Sequence, residues 1–136
     1  MPEQERQREI IHDGPHTIEA LNVLGTKIPA ASLVAIKERA VHVLAKSVDP
    51  IAGPPEQPSD GLLYGLIQSG KTSIIQVAAA MAADNGFQCI LILTSDIDLL
   101  YDQTLERMKL ALQGLSVLGK NDWRDQRRVE RQLRNQ

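Results

Sequence analysis

Cysteine, aromatic residues and net charge are all scarce in this chain, and each scarcity excludes a class of protein. The single cysteine, Cys89, excludes an intrachain disulfide and any metal site built from several cysteines. Aromatic residues make up only 3% of the chain, too few for a surface on which single-stranded bases could stack. The formal net charge of −2 provides no overall positive field that would attract nucleic acid. No apolar run reaches membrane-spanning length and the polar first residues do not form a signal peptide, so we expect a cytoplasmic protein with no membrane partner.

One stretch, Gly65-Leu66-Ile67-Gln68-Ser69-Gly70-Lys71-Thr72, matches the phosphate-binding loop pattern G-x-x-x-x-G-K-[ST] at every fixed position. In such a loop the glycines let the backbone approach a phosphate closely, and the amide groups and the following helix N-terminus attract it. Lys71 would bind the β- and γ-phosphates of ATP, and the Thr72 hydroxyl would ligate Mg²⁺. The predicted ATP-binding residues are Gly65, Gln68, Ser69, Gly70, Lys71, Thr72 and Ser73.

The residues around this loop have the pattern of a strand, a helix and a second strand. Residues 62–64 form a short apolar run before the loop, and the apolar residues 73–83 after it predict a helix that Asn85 and Gly86 end. Residues 88–94 then form a continuous apolar run, typical of a strand buried on both faces of a parallel sheet. We therefore predict an α/β fold: a partial P-loop NTPase (RecA-like) parallel sheet preceded by a helical N-terminal segment.

Proline and glycine divide the chain into four parts. Residues 1–50 are predicted to be a helical N-terminal segment, with one short helix over 17–24 and a longer one over 29–48 that Ser32 caps. Residues 51–60 are rich in proline and form a linker. Residues 61–118 form the first part of the NTPase lobe, and residues 119–136 form a charged, arginine-rich C-terminal helix.

Two segments resemble motifs I and Ia of the superfamily two (DEAD-like) helicases. They are residues 61–72 and the run Ile90-Leu91-Ile92-Leu93-Thr94-Ser95 followed by Leu99-Leu100-Tyr101-Asp102-Gln103-Thr104. The Gln-Ser-Gly-Lys-Thr form of the loop is most similar to the helicase-related ATPases associated with restriction endonucleases. The resemblance covers about residues 61–108. It implies a nucleic-acid-dependent ATPase in which Thr94, Ser95 and Gln103 contact a strand of DNA or RNA, with DNA favoured over RNA.

The chain lacks other parts that this family needs for hydrolysis. The resemblance implies an Asp-Glu motif on a later strand and an arginine finger from a second lobe, and neither can be placed in the residues after motif Ia. We therefore assign no catalytic residue. We expect the ATP-binding N-terminal part of a larger ATPase, whose downstream strands or second lobe are its missing partners.

Two other readings remain open from the residues alone. A small P-loop kinase or phosphotransferase would use Asp96 or Asp98 on Mg²⁺ or on the acceptor hydroxyl. A non-enzymatic interaction module would keep the loop only as a vestige and bind a partner through its N-terminal helices.

Overall fold

A computed structural model describes residues 9–52, 59–65, 70–94 and 96–122. Within these ranges the chain forms four α-helices: α1 (Pro15–Leu24), α2 (Ala30–Ala45), α3 (Lys71–Asp84) and α4 (Asp98–Ala111). The helices fall close to where glycine and proline place them in the sequence. Gly25 caps the end of α1, and Gly86 follows α3 with a left-handed φ of 95°. Pro29, rather than Ser32, precedes the first residue of α2.

The prediction of an α/β fold is wrong, because the described residues contain no strand and no sheet. The two runs expected to be strands, residues 62–64 and 88–94, are irregular. Leu63 packs against one core cluster and Ile92 against another, and these clusters lie on different faces of α3. The two runs are therefore kept apart, and neither supplies the main-chain partner that a strand requires.

Helix α3 is the hub of the structure, because it contacts each of the other three helices. Its apolar residues extend around the whole helix, a pattern typical of a helix buried in a core. On one face, Ile74, Val77 and Met81 form a cluster with the buried side of α2. On the opposite face, Ala79 and Ala80 pack against α1 and α4. The sequence pattern that predicted a helix on a sheet instead buries α3 among helices.

The C-terminal end of α3 fastens the N-terminal segment of the chain. The Asp84 carboxylate accepts hydrogen bonds from the His16 amide (3.1 Å), the Thr17 amide (2.9 Å) and the Thr17 hydroxyl (2.7 Å). Pro15, the first residue of α1, has no amide hydrogen, so Asp84 satisfies the first two donors that the helix presents. A Cβ atom on Gly14 would overlap the Asp84 carboxyl group, so this approach requires a glycine.

Asn85 makes a second connection beside the first. Its side-chain oxygen accepts from the Ile11 amide (2.8 Å), and its side-chain nitrogen donates to the Ile11 carbonyl (3.1 Å) and the Met81 carbonyl (2.7 Å). The buried Asn85 amide therefore pairs with both backbone groups of Ile11 while it closes the last turn of α3.

The Asp84→Ala substitution is expected to lower the free energy of unfolding by about 1–3 kcal/mol, because it removes a charged cap and leaves the donors of α1 without an acceptor. Glu38→Ala is the matched control, since Glu38 is an exposed acidic residue on α2. Urea denaturation followed by circular dichroism measures both. Equal midpoints for the two variants would contradict the capping role of Asp84.

Candidate phosphate-binding loop

Helix α3 begins at Lys71, inside the predicted phosphate-binding motif. The residue before it, Gly70, has φ 82° and ψ 16°, a left-handed conformation that glycine adopts without a steric penalty. The Ile74 amide donates to the Gly70 carbonyl at 3.1 Å, which forms the first turn of the helix. Lys71, Thr72 and Ser73 therefore occupy the first three helical positions, where the backbone amides have no acceptor within the helix.

The Lys71 side chain contacts the start of the motif. Its Nζ atom donates a hydrogen bond of 2.5 Å to the carbonyl oxygen of Gly65, the first residue of the motif. The contact is partly buried and brings the two ends of the motif together. Gly65 and Lys71 are six positions apart in sequence and are in contact, with the Lys71 ammonium group beside the Gly65 carbonyl.

The electrostatic setting of this helix start suits an anion. The first turn of α3 contains no acidic residue, so no carboxylate of the helix itself neutralises its N-terminal dipole. Lys71 adds a formal positive charge at the same end. Thr72 and Ser73 are half-buried and provide two hydroxyl groups in the first turn. Together these groups have the chemistry to bind phosphate oxygens, with a hydroxyl available for a hydrated Mg²⁺ ion.

Not all the predicted site residues can be placed around Lys71. Gln68, Ser69 and Ser95 lie outside the described residues. Thr94 is exposed at the end of the irregular run after α3, and Gln103 is exposed on α4. No contact among the described residues joins Thr94 or Gln103 to the start of α3, where Gly70, Lys71, Thr72 and Ser73 lie.

One of the two carboxylates that the kinase reading could use, Asp98, is paired with a lysine. Asp98, the first residue of α4, accepts a hydrogen bond from Lys120 Nζ at 3.0 Å. This bond raises the pKa of Lys120. The Lys120 backbone amide also donates to the Tyr101 hydroxyl at 2.6 Å, and the ammonium lies 4.9 Å from the centre of the Tyr101 ring. These contacts, which the sequence does not signal, fold residues 119–122 onto the start of α4.

A second feature that the sequence pattern does not reveal is an open groove between α2 and residues 59–63. The exposed side chains of Arg39, His42 and Lys46 line its α2 side, with Glu38 and Asp60 beside them. These residues lie on the exposed side of α2. The groove forms because residues 59–63, which lead into the loop, lie against that face.

The described residues contain no group of three or more His, Cys, Asp or Glu side chains that could hold a metal ion. Within the same ranges, every helix falls short of the length or apolarity needed to cross a membrane.

The Gly70→Ala substitution is expected to destabilise the protein by about 1 kcal/mol, because alanine is strained in the left-handed conformation. Beyond the adjoining residues, no atom of the described residues lies within 4 Å of the added Cβ, so the expected effect comes from the backbone conformation. Gly61→Ala is the matched control, since its Cβ also meets nothing within 4 Å and its φ lies outside the left-handed range. Thermal unfolding of both variants measures the difference. A Gly61→Ala variant as unstable as Gly70→Ala would contradict the left-handed turn.

Comparison with known proteins adds nothing to this geometry. The chain matches no protein-family model, no curated protein and no solved structure. The function must therefore be argued from the loop itself.

Proposed function

We propose that the chain binds a Mg²⁺-nucleoside triphosphate, with ATP as the expected ligand, through the loop between Gly65 and Thr72. The observation that carries this proposal is the hydrogen bond from Lys71 to the Gly65 carbonyl across the turn at Gly70. A phosphate group that binds at this helix start could take the place of the Gly65 carbonyl as an acceptor for Lys71. The complete match to the phosphate-loop pattern supports the same assignment.

Each group of the loop would have its own role in binding. The Lys71 ammonium would exchange the Gly65 carbonyl for phosphate oxygens, and the amides of the first turn of α3 would donate to the same oxygens. The Thr72 hydroxyl would hold Mg²⁺, which supplies positive charge between the phosphates. The exchange replaces a hydrogen bond to a neutral acceptor with one to a charged acceptor, which is the stronger of the two.

The wider role we propose is that of the ATP-binding part of a helicase-like, DNA-dependent ATPase in the cytoplasm. Its support is the sequence resemblance over about residues 61–108, in which Thr94, Ser95 and Gln103 would contact the nucleic acid. The all-helical arrangement of the described residues gives this wider role no support from the fold. The proposed binding of nucleotide phosphates does not depend on the proposed nucleic-acid partner.

The kinase reading is the weaker alternative. It needs Asp96 or Asp98 free to ligate Mg²⁺ or to accept a proton from a hydroxyl group. Asp98 is instead paired with Lys120, and that pair would have to break before the carboxylate could act.

The Lys71→Ala variant is expected to bind Mg²⁺-ATP at least tenfold more weakly than the wild type, a loss of about 1.4 kcal/mol or more. The reason is the loss of the only side-chain cation that the motif places on the β- and γ-phosphates. Isothermal titration calorimetry with ATP and Mg²⁺ measures it. Lys109→Ala, which removes a half-exposed lysine on α4, should leave the affinity unchanged. Equal affinities for Lys71→Ala and the wild type would overturn the phosphate-loop assignment.

The chain alone is expected to show no steady-state ATP hydrolysis, with or without DNA. The sequence offers no Asp-Glu pair after an apolar run to polarise an attacking water and no identifiable arginine finger. Phosphate release can be followed continuously with the wild type, with Lys71→Ala as the background. Turnover on the order of 1 s⁻¹ that disappears in Lys71→Ala would show that the catalytic groups are present after all.

A further inference from the structure

Residues 114–120, which follow α4, return along that helix to its start. Lys120, the last of them, contacts Asp98 and Tyr101 in the first turn of α4. Between the two ends of the segment, Leu115 and Val117 pack on the core cluster that α3 and α4 share. We call residues 114–120 the strap.

The backbone in the middle of the strap contributes little to holding it in place. The amides of Ser116, Val117 and Leu118 make no hydrogen bond to any other described residue. A segment with few main-chain hydrogen bonds can move away locally while the packed helices stay folded. The position of the strap therefore depends on the packing of its side chains and on the contacts at its ends.

Both ends of the strap are glycines that lie unusually close to a helix. A Cβ atom on Gly119 would lie 2.7 Å from the Tyr101 hydroxyl oxygen and 2.9 Å from a methyl carbon of Leu105. A Cβ atom on Gly114 would lie 3.1 Å from two side-chain atoms of α1. The absence of a side chain at these two positions lets the strap lie close to α4 and α1.

The charged contact that holds the C-terminal end of the strap is made by Lys120. Its ammonium group donates to the Asp98 carboxylate at 3.0 Å and lies 4.9 Å from the centre of the Tyr101 ring. The Lys120 side chain is 56% exposed and that of Asp98 is 82% exposed. Ion pairs in contact with water are weak and are screened by salt, so this end can detach without unfolding the protein.

The strap forms one wall of a cavity of about 320 Å³. Residues 115–118 line the cavity on one side, and α3, α4 and residues 87–94 line it on the others. Among the described residues that line it, none is charged. Met108 of α4 also lines the cavity and is only 4% exposed, so solvent has little access to it while the strap is in place.

We propose that the strap is a lid over this cavity, held closed by Lys120 at the start of α4. The lid opens when the ammonium group leaves Asp98 and Tyr101, and the four helices stay packed while it does so. Opening gives solvent and small molecules access to Met108. This proposal does not rest on nucleotide binding, and the Lys71→Ala variant should open as the wild type does.

The first test measures the oxidation of Met108 to its sulfoxide by hydrogen peroxide, followed by peptide mass spectrometry. Met81 is the internal control, because it is fully buried in the cluster that α2 and α3 share and becomes accessible only when that core opens. Lys120→Ala removes the ion pair and the contact with the ring. It is expected to speed the oxidation of Met108 by about three- to thirtyfold and to leave that of Met81 unchanged.

Two further variants separate the charge of Lys120 from other effects of the substitution. Lys120→Arg keeps a cation above the ring and should oxidise as the wild type does. Lys46→Ala removes an exposed lysine from α2 and should also leave Met108 protected. If Lys120→Ala speeds Met108 and Met81 equally, the lysine stabilises the whole fold rather than a lid. Unchanged rates at both methionines would mean that Lys120 does not hold the strap, and either result would overturn the proposal.

The second test varies the ionic strength. In about 1 M salt the Debye length falls to about 3 Å, which weakens the exposed pair between Lys120 and Asp98. The oxidation of Met108 in the wild type should therefore become faster as salt is added. Lys120→Ala should show a smaller response, because it has no ammonium group to screen. A salt response as large in Lys120→Ala as in the wild type would contradict the role of Lys120.

Discussion

The carboxylate of Asp84 is the contact on which the arrangement of the helices depends. An acidic residue at the C-terminal end of a helix is normally unfavourable, because it lies at the negative end of the helix dipole. Asp84 offsets this cost by lying at the positive end of α1, where it accepts hydrogen bonds from two amides and a hydroxyl. One side chain thereby fixes where α1 starts and which end of α3 it meets. Asn85 next to it holds the segment before α1 in the same place.

The contacts of Asp84 and Asn85 are at the C-terminal end of α3, whereas the candidate site is at its N-terminal end. The N-terminal turn of the helix carries Lys71, Thr72 and Ser73, while the C-terminal residues bind the rest of the chain. Buried residues on both faces of α3 lock its axis between two core clusters. The motif therefore ends on a helix whose position is set by packing on two opposite faces, which helps to preorganise its amide groups.

Local signals predicted the helices well. Gly86 ends α3 in a left-handed conformation that glycine adopts without a steric penalty, and the position of Gly70 before Lys71 follows from the motif alone. The strands failed because an apolar run such as Ile90–Ile92 becomes a strand only if another segment pairs with it, and that depends on distant residues. The role of Asp84 was equally hidden, since it bonds to Thr17, which is 67 positions away. The contact between Lys71 and Gly65 does not follow from the motif, which specifies the residues but not the direction of the lysine side chain.

The central place of α3 should determine how fast different parts of the backbone exchange their amide hydrogens with solvent. The backbone amides in the middle of α3 are covered on both faces, so hydrogen exchange there should require opening of the whole fold. The amides of residues 88–94 make no hydrogen bonds to the other described residues and should exchange far faster. The turn that carries Lys71 thus joins the slowest-exchanging element of the protein. A ligand bound at this turn would contact the end of α3, so its binding should be detectable as a change in hydrogen exchange in α3.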